Sequence, residues 1–343
     1  MKKILTFGEI LLRLSPEFGG KWINNQSIPT FIGGAELNVA AALSKWHVPV
    51  AYCSAMPNNA LALEIKNYLI AKNIDISPMQ WAGERIGLYY LPQGADLKNE
   101  GVIYDRANSS FSDLKIGQID WNTLFEDVEW FHFSAISPAL NQTIANICLE
   151  ALKIAKSKKV KISVDLNYRA KLWKYGKDPV DIMPELASYC DLIMGNLWAA
   201  NKLLGISIDS EIEKNNANSH DYIQHAKRTS EEIIQKFKSC KYVANTFRFD
   251  YKQNGISYFT TLFQDSQLYV SPEFQKETVV DKVGSGDCFM GGLLYGYFNK
   301  FSSQEIIDFA AAAAIGKLNE VGDFTNQTIE DVKEILLENE LKV

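Results

Sequence analysis

The stretch VVDKVGSGDCFMGGLLYG, residues 279–296, decides how the chain is interpreted. A short apolar segment leads into Gly284, Ser285 and Gly286, and Asp287 then opens a run that is typical of a buried helix. One interpretation is structural, because Asp is a favourable N-cap residue. The other is an anion site, because the backbone N–H groups at a helix start are free and glycines let a phosphate come close to them.

The glycines favour the anion site. A cap explains Asp287 but not its glycine neighbours, nor Gly291, Gly292 and Gly296 within the helix, where each Gly costs about 0.5–1 kcal/mol relative to Ala. The stretch is not the phosphate loop that ends in Gly-Lys-Ser/Thr, because no Lys follows. Phosphoryl transfer needs positioning, charge neutralisation and a group that takes the hydroxyl proton, and this last role would suit Asp287.

A second glycine pair lies in FIGGAELNVA, residues 31–40. Gly33 and Gly34 turn the chain into a helix, and Asn38 follows about one turn later. The pattern is either a tight turn before a well-packed helix or a polar pocket. In the pocket, Gly34 would give access to the backbone and Asn38 would offer a donor and an acceptor to hydroxyl groups.

Composition excludes several classes of protein. The chain has 343 residues, 47% of them hydrophobic, a net charge of −6 and no basic block, which argues against nucleic acid or an anionic membrane as partner. The start, MKKILTFGEILLRLS, is too interrupted for a signal peptide, and no apolar run reaches membrane-spanning length. The five scattered cysteines fit a reduced cytosol, and the four histidines form no metal-spaced cluster with them, so we expect a cytoplasmic protein.

Apolar segments of strand length alternate with helical patterns through most of the chain, as in KILTFGEI (3–10) followed by NVAAALSKW (38–46). This alternation predicts a mostly parallel sheet covered by helices on both faces. SEEIIQKFK (230–238) is predicted to begin a helix with a Ser cap, after a polar surface excursion at 206–230.

Two segments, residues 11–32 and 85–105, instead show the alternating pattern of antiparallel strands outside the main sheet. We expect them to form a lid. No repeat or linker divides the chain, so the sequence predicts one domain, 1–343, that includes both lid segments.

GGAELNVA (33–40), DLNYR (165–169) and DKVGSGD (281–287) together resemble the motifs of the PfkB, or ribokinase-like, family of carbohydrate kinases, in order and spacing over nearly the whole chain. The resemblance implies a three-layer α/β/α fold with a small β-lid, ATP as donor, Mg²⁺, and homo-oligomers formed through the lid. It also makes Asp287 the catalytic base and the backbone of Gly284, Ser285 and Gly286 the anion hole. Family members often have Ala where Ser285 stands, a change that leaves the backbone donors intact.

Other stretches resemble the 2-keto-3-deoxygluconate kinase branch of the family: GEILLRLSP (8–16), GLYYL (87–91), VIYDRANS (102–109), WFHFSAISPAL (130–140) and DLNYRAKLW (165–173). The substrate contacts that the resemblance implies are Gly33, Gly34, Asn38, Tyr89, Tyr104, Arg106, Ile136, Asn167 and Arg169. Two arginines in one pocket would bind the carboxylate of a sugar acid with charge-assisted hydrogen bonds. Alternatively, Arg106 pairs with a nearby acid such as Asp105, Arg169 caps a carbonyl or pairs with Asp165, and the tyrosines only pack.

The nucleotide side departs from the family pattern. Asn196 is present, but Ala199 stands where the family usually has a Glu that helps organise Mg²⁺, so the metal ligands stay unknown. The resemblance implies nucleotide contacts from Asn196, Thr246, Gly284 and Gly286, with Gly255 as a further candidate. AAAAIGKLNEVGDF (311–324) would either lie beside the adenine or serve close packing.

The sequence therefore predicts an ATP-dependent kinase that phosphorylates the primary hydroxyl of a sugar acid, with 2-keto-3-deoxygluconate as the first choice. Two alternatives stay open. The acceptor could be a neutral sugar such as fructose, or the protein could be a kinase-like sugar-acid-binding protein with little turnover. The stereochemistry of the sugar is left open.

Overall fold

The chain folds around one large sheet, with a four-stranded and a two-stranded sheet besides it, in a computed structural model that describes residues 2–17, 22–23, 27–92, 101–209, 212 and 218–341. The strands are β1 Lys3–Phe7, β2 Leu11–Leu14, β3 Thr30–Gly33, β4 Val50–Cys53, β5 Ala55–Met56, β6 Gln80–Trp81, β7 Gly87–Tyr90, β8 Ile103–Asp105, β9 Val128–Ser134, β10 Lys161–Asp165, β11 Leu192–Gly195, β12 Tyr242–Tyr251, β13 Gly255–Gln264, β14 Gln267–Val270 and β15 Phe274–Lys276. The helices are α1 Ala35–Lys45, α2 Ala60–Ala71, α3 Trp121–Leu124, α4 Gln142–Ser157, α5 Pro179–Ala187, α6 Leu197–Leu204, α7 Ser219–Lys236, α8 Ser285–Phe298, α9 Ser303–Lys317 and α10 Ile329–Glu340.

The large sheet has the strand order β14-β13-β12-β11-β10-β9-β1-β4, with β15 also paired to β13. The strands from β4 to β12 in this order are parallel, and β13, β14 and β15 join antiparallel. Helices α1, α8 and α9 contribute to one buried apolar cluster, and α4, α5 and α6 contribute to a second. The three-layer α/β/α fold with a mostly parallel sheet is thus confirmed.

The four-stranded sheet, called the lid sheet below, has the strand order β3-β2-β7-β8 and is built from described parts of the two predicted lid segments, of which residues 18–21, 24–26 and 93–100 lie outside the described residues. Its outer pairs, β2 with β3 and β7 with β8, are antiparallel as expected. The central pair is parallel, with Leu11 opposite Gly87. A parallel pair needs a long crossover rather than a hairpin, and the chain from β3 to β6 supplies it.

Part of the predicted surface excursion at 206–230, residues 210–211 and 213–217, lies outside the described residues, and the part after it differs from the prediction. From Ser219 onward it is helical, because Asn218 caps α7 and forms a capping box with Asp221. The prediction that Ser230 caps a helix is wrong, since Ser230 lies inside α7 and its hydroxyl donates to the Ala226 carbonyl. Few apolar residues mark the buried face of this helix, and for that reason its periodicity was weak in the sequence.

The interior glycines of α8 serve packing, so their use as evidence for an anion site was wrong. A Cβ on Gly292 would lie 2.6 Å from the Ala310 Cα, and one on Gly296 would lie 2.7 Å from Ile306. These glycines therefore let α9 approach α8 closely. The alanines at 310–314 are fully buried in the same apolar cluster as α8, which favours close packing over a place beside adenine.

Two further expectations concern the cysteines and the membrane. All five cysteines are buried free thiols, in agreement with their interpretation as small apolar residues. In the part of the chain that the structure describes, none of the helices has the length and apolar character that spanning a bilayer would require.

Candidate active site

A cavity of about 570 Å³ opens where the carboxyl ends of β9, β10, β11 and β12 meet the starts of α1 and α8. Crevices at this end of parallel strands are the usual ligand sites of open α/β sheets. The cavity is lined by Gly34, Asn38, Tyr89, Tyr104, Arg106, Ile136, Asn167, Arg169, Asn196, Thr246, Gly284, Ser285, Gly286 and Asp287, all of which the sequence had singled out. The lid strands β2 and β7 contribute Leu11 and Tyr89 to the wall.

Asp287 lies in the first turn of α8 and does not cap it. The N-cap is Gly284, with φ of 80°, a left-handed conformation that favours glycine. The Asp287 carboxylate accepts a hydrogen bond of 2.6 Å from Asn38 Nδ2. Burial raises the pKa of Asp287 to about 7, and the nearby charge of Glu36 adds to this rise, whereas the Asn38 hydrogen bond opposes it. A carboxylate with this pKa can exchange a proton with a hydroxyl near neutral pH.

The start of α8 supplies backbone donors next to Asp287. The first intrahelical bond joins the Cys288 N–H to the Gly284 carbonyl at 2.8 Å, so the N–H groups before Cys288 lack helical acceptors. A Cβ on Gly286 would meet no atom within 4 Å, which means that open space lies in front of this residue. The Ser285 hydroxyl is turned away and donates to the Ala314 carbonyl at 2.9 Å. An anion could therefore reach these N–H groups.

The second glycine stretch brings Asn38 to the cavity. Gly34 has φ of 135°, and a Cβ there would lie 2.3 Å from the Glu9 carbonyl oxygen, so only glycine fits this turn. Asn38 is 5% exposed, and its Oδ1 has no hydrogen-bond partner among the residues that the structure describes. A buried amide oxygen at a cavity wall is an acceptor for a ligand hydroxyl. Gly33 lies outside the cavity lining, because its Cα packs against the Asp323 carboxylate.

Arg106 and Arg169 reach the same cavity in different ways. Arg106 is buried and pairs through Nε and Nη2 with the buried carboxylate of Glu9, at 2.6 and 2.5 Å. The suggested partner Asp105 instead pairs with Arg85. Arg169 is half-buried and donates to the Tyr168 carbonyl at 3.1 Å. Each guanidinium carries five N–H donors, so these contacts leave donors for a ligand.

Tyr89 and Tyr104 make different contacts. The Tyr89 hydroxyl donates to Asp323 Oδ1 at 2.5 Å, which ties it into the protein. Tyr104 lies across from Tyr89 in the lid sheet, and its ring lies 6.0 Å from the Arg106 guanidinium carbon. Tyr104 therefore forms part of the wall next to the Arg106–Glu9 pair, while Tyr89 anchors the lid sheet to the loop around Asp323.

Positive charge is concentrated in the cavity although the protein as a whole carries −6. Its basic lining residues are Arg106, Arg169, Lys171, Arg248 and Lys282, whereas its acidic ones are Asp165 and Asp287. Our sequence interpretation missed Lys171, Arg248 and Lys282. The sequence pattern could have identified Lys282, because it lies within the motif DKVGSGD. It could also have identified Arg248, which lies two residues beyond Thr246 on β12. A cavity with this charge suits ligands that carry several negative charges.

The part of the cavity near Asn196 and Thr246, which the sequence predicts to bind the nucleotide, has few candidate metal ligands among the described residues. The Asn196 side chain caps α6 by accepting from the Ala199 N–H at 2.8 Å. Gly255, by contrast, is absent from the cavity lining; it is the first residue of β13 and pairs with Tyr251, the last residue of β12. Within the described ranges, no three His, Cys, Asp or Glu side chains are grouped as metal ligands. Mg²⁺ is commonly held by one or two carboxylates together with substrate phosphates and water, and the carboxylates in the cavity lining are those of Asp165 and Asp287.

The fold and this site are those of an α/β protein with open backbone N–H groups at a helix start and an adjacent carboxylate, an arrangement suited to phosphoryl transfer. Residues 1–328 match the pfkB family of carbohydrate kinases, and the chain belongs to this family. It is therefore a carbohydrate kinase, and its family uses ATP.

Three similar proteins are informative. The crystal structure of 2-dehydro-3-deoxygluconokinase from Thermotoga maritima has a TM-score of 0.88 and 34% sequence identity, covering 98% of this chain and 100% of that one. The 2-dehydro-3-deoxygalactonokinase of Haloferax volcanii is 26% identical over 97% of this chain and 96% of its own length. The 2-dehydro-3-deoxygluconokinase of Bacillus subtilis is 25% identical over 93% and 90%.

Proposed function

We propose that this kinase transfers the γ-phosphoryl group of ATP to the primary hydroxyl of a sugar acid, with 2-keto-3-deoxygluconate as the acceptor. One observation carries the proposal: Asp287, with a pKa of about 7, lies beside open helix-start N–H groups in a cavity rich in basic side chains. These are the parts that phosphoryl transfer to a hydroxyl requires. Three similar proteins are named as kinases of the two epimeric 2-keto-3-deoxy sugar acids, which supports this acceptor class.

The acceptor is bound by its carboxylate at one end of the cavity. Arg169 and the remaining donors of Arg106 bind that carboxylate with charge-assisted hydrogen bonds. The Oδ1 of Asn38 accepts from a sugar hydroxyl, and this contact satisfies an otherwise unpaired buried atom. Tyr104, Ile136 and Asn167 complete the wall. An acceptor held in this way presents its far hydroxyl to Asp287.

The donor lies along the start of α8. The N–H groups of Gly284, Ser285 and Gly286 receive the transferring phosphoryl group, and Lys282 and Arg248 bind the other phosphates. Asn196 and Thr246 line the same side of the cavity. Asp165 and the phosphate oxygens would hold Mg²⁺ when it is bound with the nucleotide, and the ion would neutralise phosphate charge.

The chemistry is a single displacement. The hydroxyl oxygen forms a bond to the γ-phosphorus, the bond from that phosphorus to the ADP oxygen breaks, and Asp287 takes the hydroxyl proton. The helix-start N–H groups and the basic side chains stabilise the charge on the transferring group. The lid sheet over the cavity excludes water and thereby limits hydrolysis of ATP.

The test is ATP turnover with Mg²⁺ against 2-keto-3-deoxygluconate, its galacto epimer, gluconate, fructose, ribose and adenosine. Turnover of the acidic sugars alone is the expected result. A preference for fructose or another neutral sugar would show that the two arginines are structural. Sugar-acid binding by calorimetry without turnover would indicate a binding protein instead of an efficient enzyme.

We further propose that the whole chain, 1–343, acts as one domain and forms homo-oligomers through the lid sheet. Among the described residues, β8 is an edge strand of the lid sheet and exposes Ile103 at 58%, and a strand edge with an apolar side chain is a surface on which a second copy can pair. Light scattering coupled to gel filtration tests this proposal. Ile103→Lys should lower the measured mass to that of one chain, and an unchanged mass would place the contact elsewhere.

A further inference from the structure

Lys317 ends α9, and its side chain is fully buried without lining the cavity. A buried ammonium group is costly unless hydrogen bonds and opposite charges compensate it. Its Nζ donates to the carbonyl oxygens of Glu320 at 3.1 Å and Gly322 at 2.9 Å. Lys317 therefore lies outside the cavity in which the substrates would bind. Its side chain is instead hydrogen-bonded to one loop, residues 320–323.

This loop packs directly behind the start of α8. A Cβ on Gly284 would lie 2.2 Å from the Asp323 carbonyl oxygen and 3.3 Å from Lys317 Cε. The loop backbone and the lysine stem therefore form the wall against which Gly284 rests. A shift of either would move the N–H groups that face the cavity.

The same loop is joined to the lid sheet by buried polar groups. Arg13, on β2, pairs through Nε with Asp323 at 2.9 Å, and its side chain has no exposed surface. Tyr89, on β7, donates to the other Asp323 oxygen at 2.5 Å. The lid strands and the wall behind Gly284 are thus held by one carboxylate.

Asp281 also joins Arg13 to loop 320–323. It pairs with Arg13 Nη2 at 2.7 Å and accepts hydrogen bonds from the N–H groups of Val283 and Gly322. Burial lowers the pKa of Lys317, and the charges of Asp281, Glu320 and Asp323 oppose this effect. Two buried cations, Arg13 and Lys317, therefore lie among the two buried carboxylates of Asp281 and Asp323.

We propose that Lys317 is a positioning residue for phosphoryl transfer. Its ammonium group holds loop 320–323 against Gly284. It thereby fixes the position of the helix-start N–H groups relative to the lid sheet. The inference rests on the kinase activity but not on the identity of the sugar. Because those N–H groups act on the transferring phosphoryl group, the loss of Lys317 affects the transition state more than the binding of either substrate.

The experiment begins with wild-type turnover of whichever sugar is accepted, since absence of turnover there would contradict the proposed function and not this inference. Lys317→Met keeps the length of the side chain but removes its charge and donors. We expect kcat to fall about 100-fold, as for a misplacement near 1 Å, with KM for the sugar little changed. The complex with ADP, aluminium fluoride and sugar, which mimics the transition state, should weaken by the same factor. Lys333→Met, at an exposed position on α10, is the matched control and should leave both values unchanged.

A merely structural lysine would give a different result. Lys317→Met would then melt at a lower temperature, but the folded fraction would keep its kcat and its affinity for the aluminium fluoride complex, and that outcome overturns the proposal. If Lys317→Met does not fold, Glu320→Ala loosens the same loop from a half-buried position, because Glu320 accepts from Thr325 and from the Asn326 N–H. A lower kcat with unchanged sugar KM supports the proposal in that variant, and an unchanged kcat contradicts it.

Discussion

Asn38 Nδ2 donates a 2.6 Å hydrogen bond to Asp287 Oδ2, joining the first turns of two helices that lie far apart in the sequence. The bond holds the carboxylate at the cavity wall while Asn38 Oδ1 stays available to a ligand. The two motifs, which are separate in the sequence, therefore form one unit, and the proposed function uses this unit to bind a hydroxyl group and take its proton.

Asp287→Asn should remove most of the activity. The amide keeps the size of the side chain but cannot take a proton, so we expect kcat to fall about 10²–10⁴-fold. Calorimetry should show nearly unchanged binding of ATP and sugar. A variant with wild-type kcat would mean that another group is the base.

The rate should depend on the protonation state of Asp287. The pKa of Asp287 is raised to about 7, and only the deprotonated carboxylate can take a proton, so kcat/KM should fall as the pH drops below about 7 and level off above it. The measurement is a pH profile of kcat/KM with saturating ATP. A flat profile between pH 5 and 8 would contradict the assignment.

Replacing Glu36 and replacing Asn38 should shift the pH midpoint of the kcat/KM profile in opposite directions. Glu36→Gln removes a charge that raises the pKa of Asp287, so the midpoint should shift to lower pH. Asn38→Ala removes a hydrogen bond that lowers the pKa, so the midpoint should shift to higher pH. Shifts in the same direction would show that a different group titrates.

Arg169→Met and Arg106→Met should have similar effects on the binding of the sugar acid but different effects on the stability of the protein. Each should raise KM for the sugar acid about 10–100-fold, through the loss of charged hydrogen bonds. Only Arg106→Met should also lower the free energy of unfolding, by about 3–5 kcal/mol, because it leaves the buried Glu9 carboxylate without a counter-ion. Urea unfolding measures the difference.

Arg85→Met breaks the more exposed pair with Asp105 and is the control, with a change below about 1 kcal/mol. Equal stability of the two cavity variants would contradict the role of Glu9.

The sequence allowed the sheet, its flanking helices and most of the cavity wall to be predicted, because strand and helix periods and the glycine turns are local signals. The buried ion network around Asp281 and Asp323 could not be predicted in this way. Arg13 and Asp281 are 268 residues apart, and each alone has the character of an ordinary surface charge. Likewise, α7 was missed before Ser230 because its buried face includes His225, Thr229 and Ser230. Such positions depend on tertiary contacts, which a single sequence does not contain.

Lys282→Met should weaken the binding of ATP and leave that of the sugar acid intact. Lys282 is half-buried at the cavity wall, directly before the turn into α8, where donor phosphates would lie. Loss of one charge-assisted contact to phosphate should raise KM for ATP about tenfold. Lys45→Met, at an exposed position on α1, is the control and should leave both KM values unchanged. A rise in KM for the sugar acid alone would place Lys282 on the acceptor side and reverse the proposed orientation of the two substrates in the cavity.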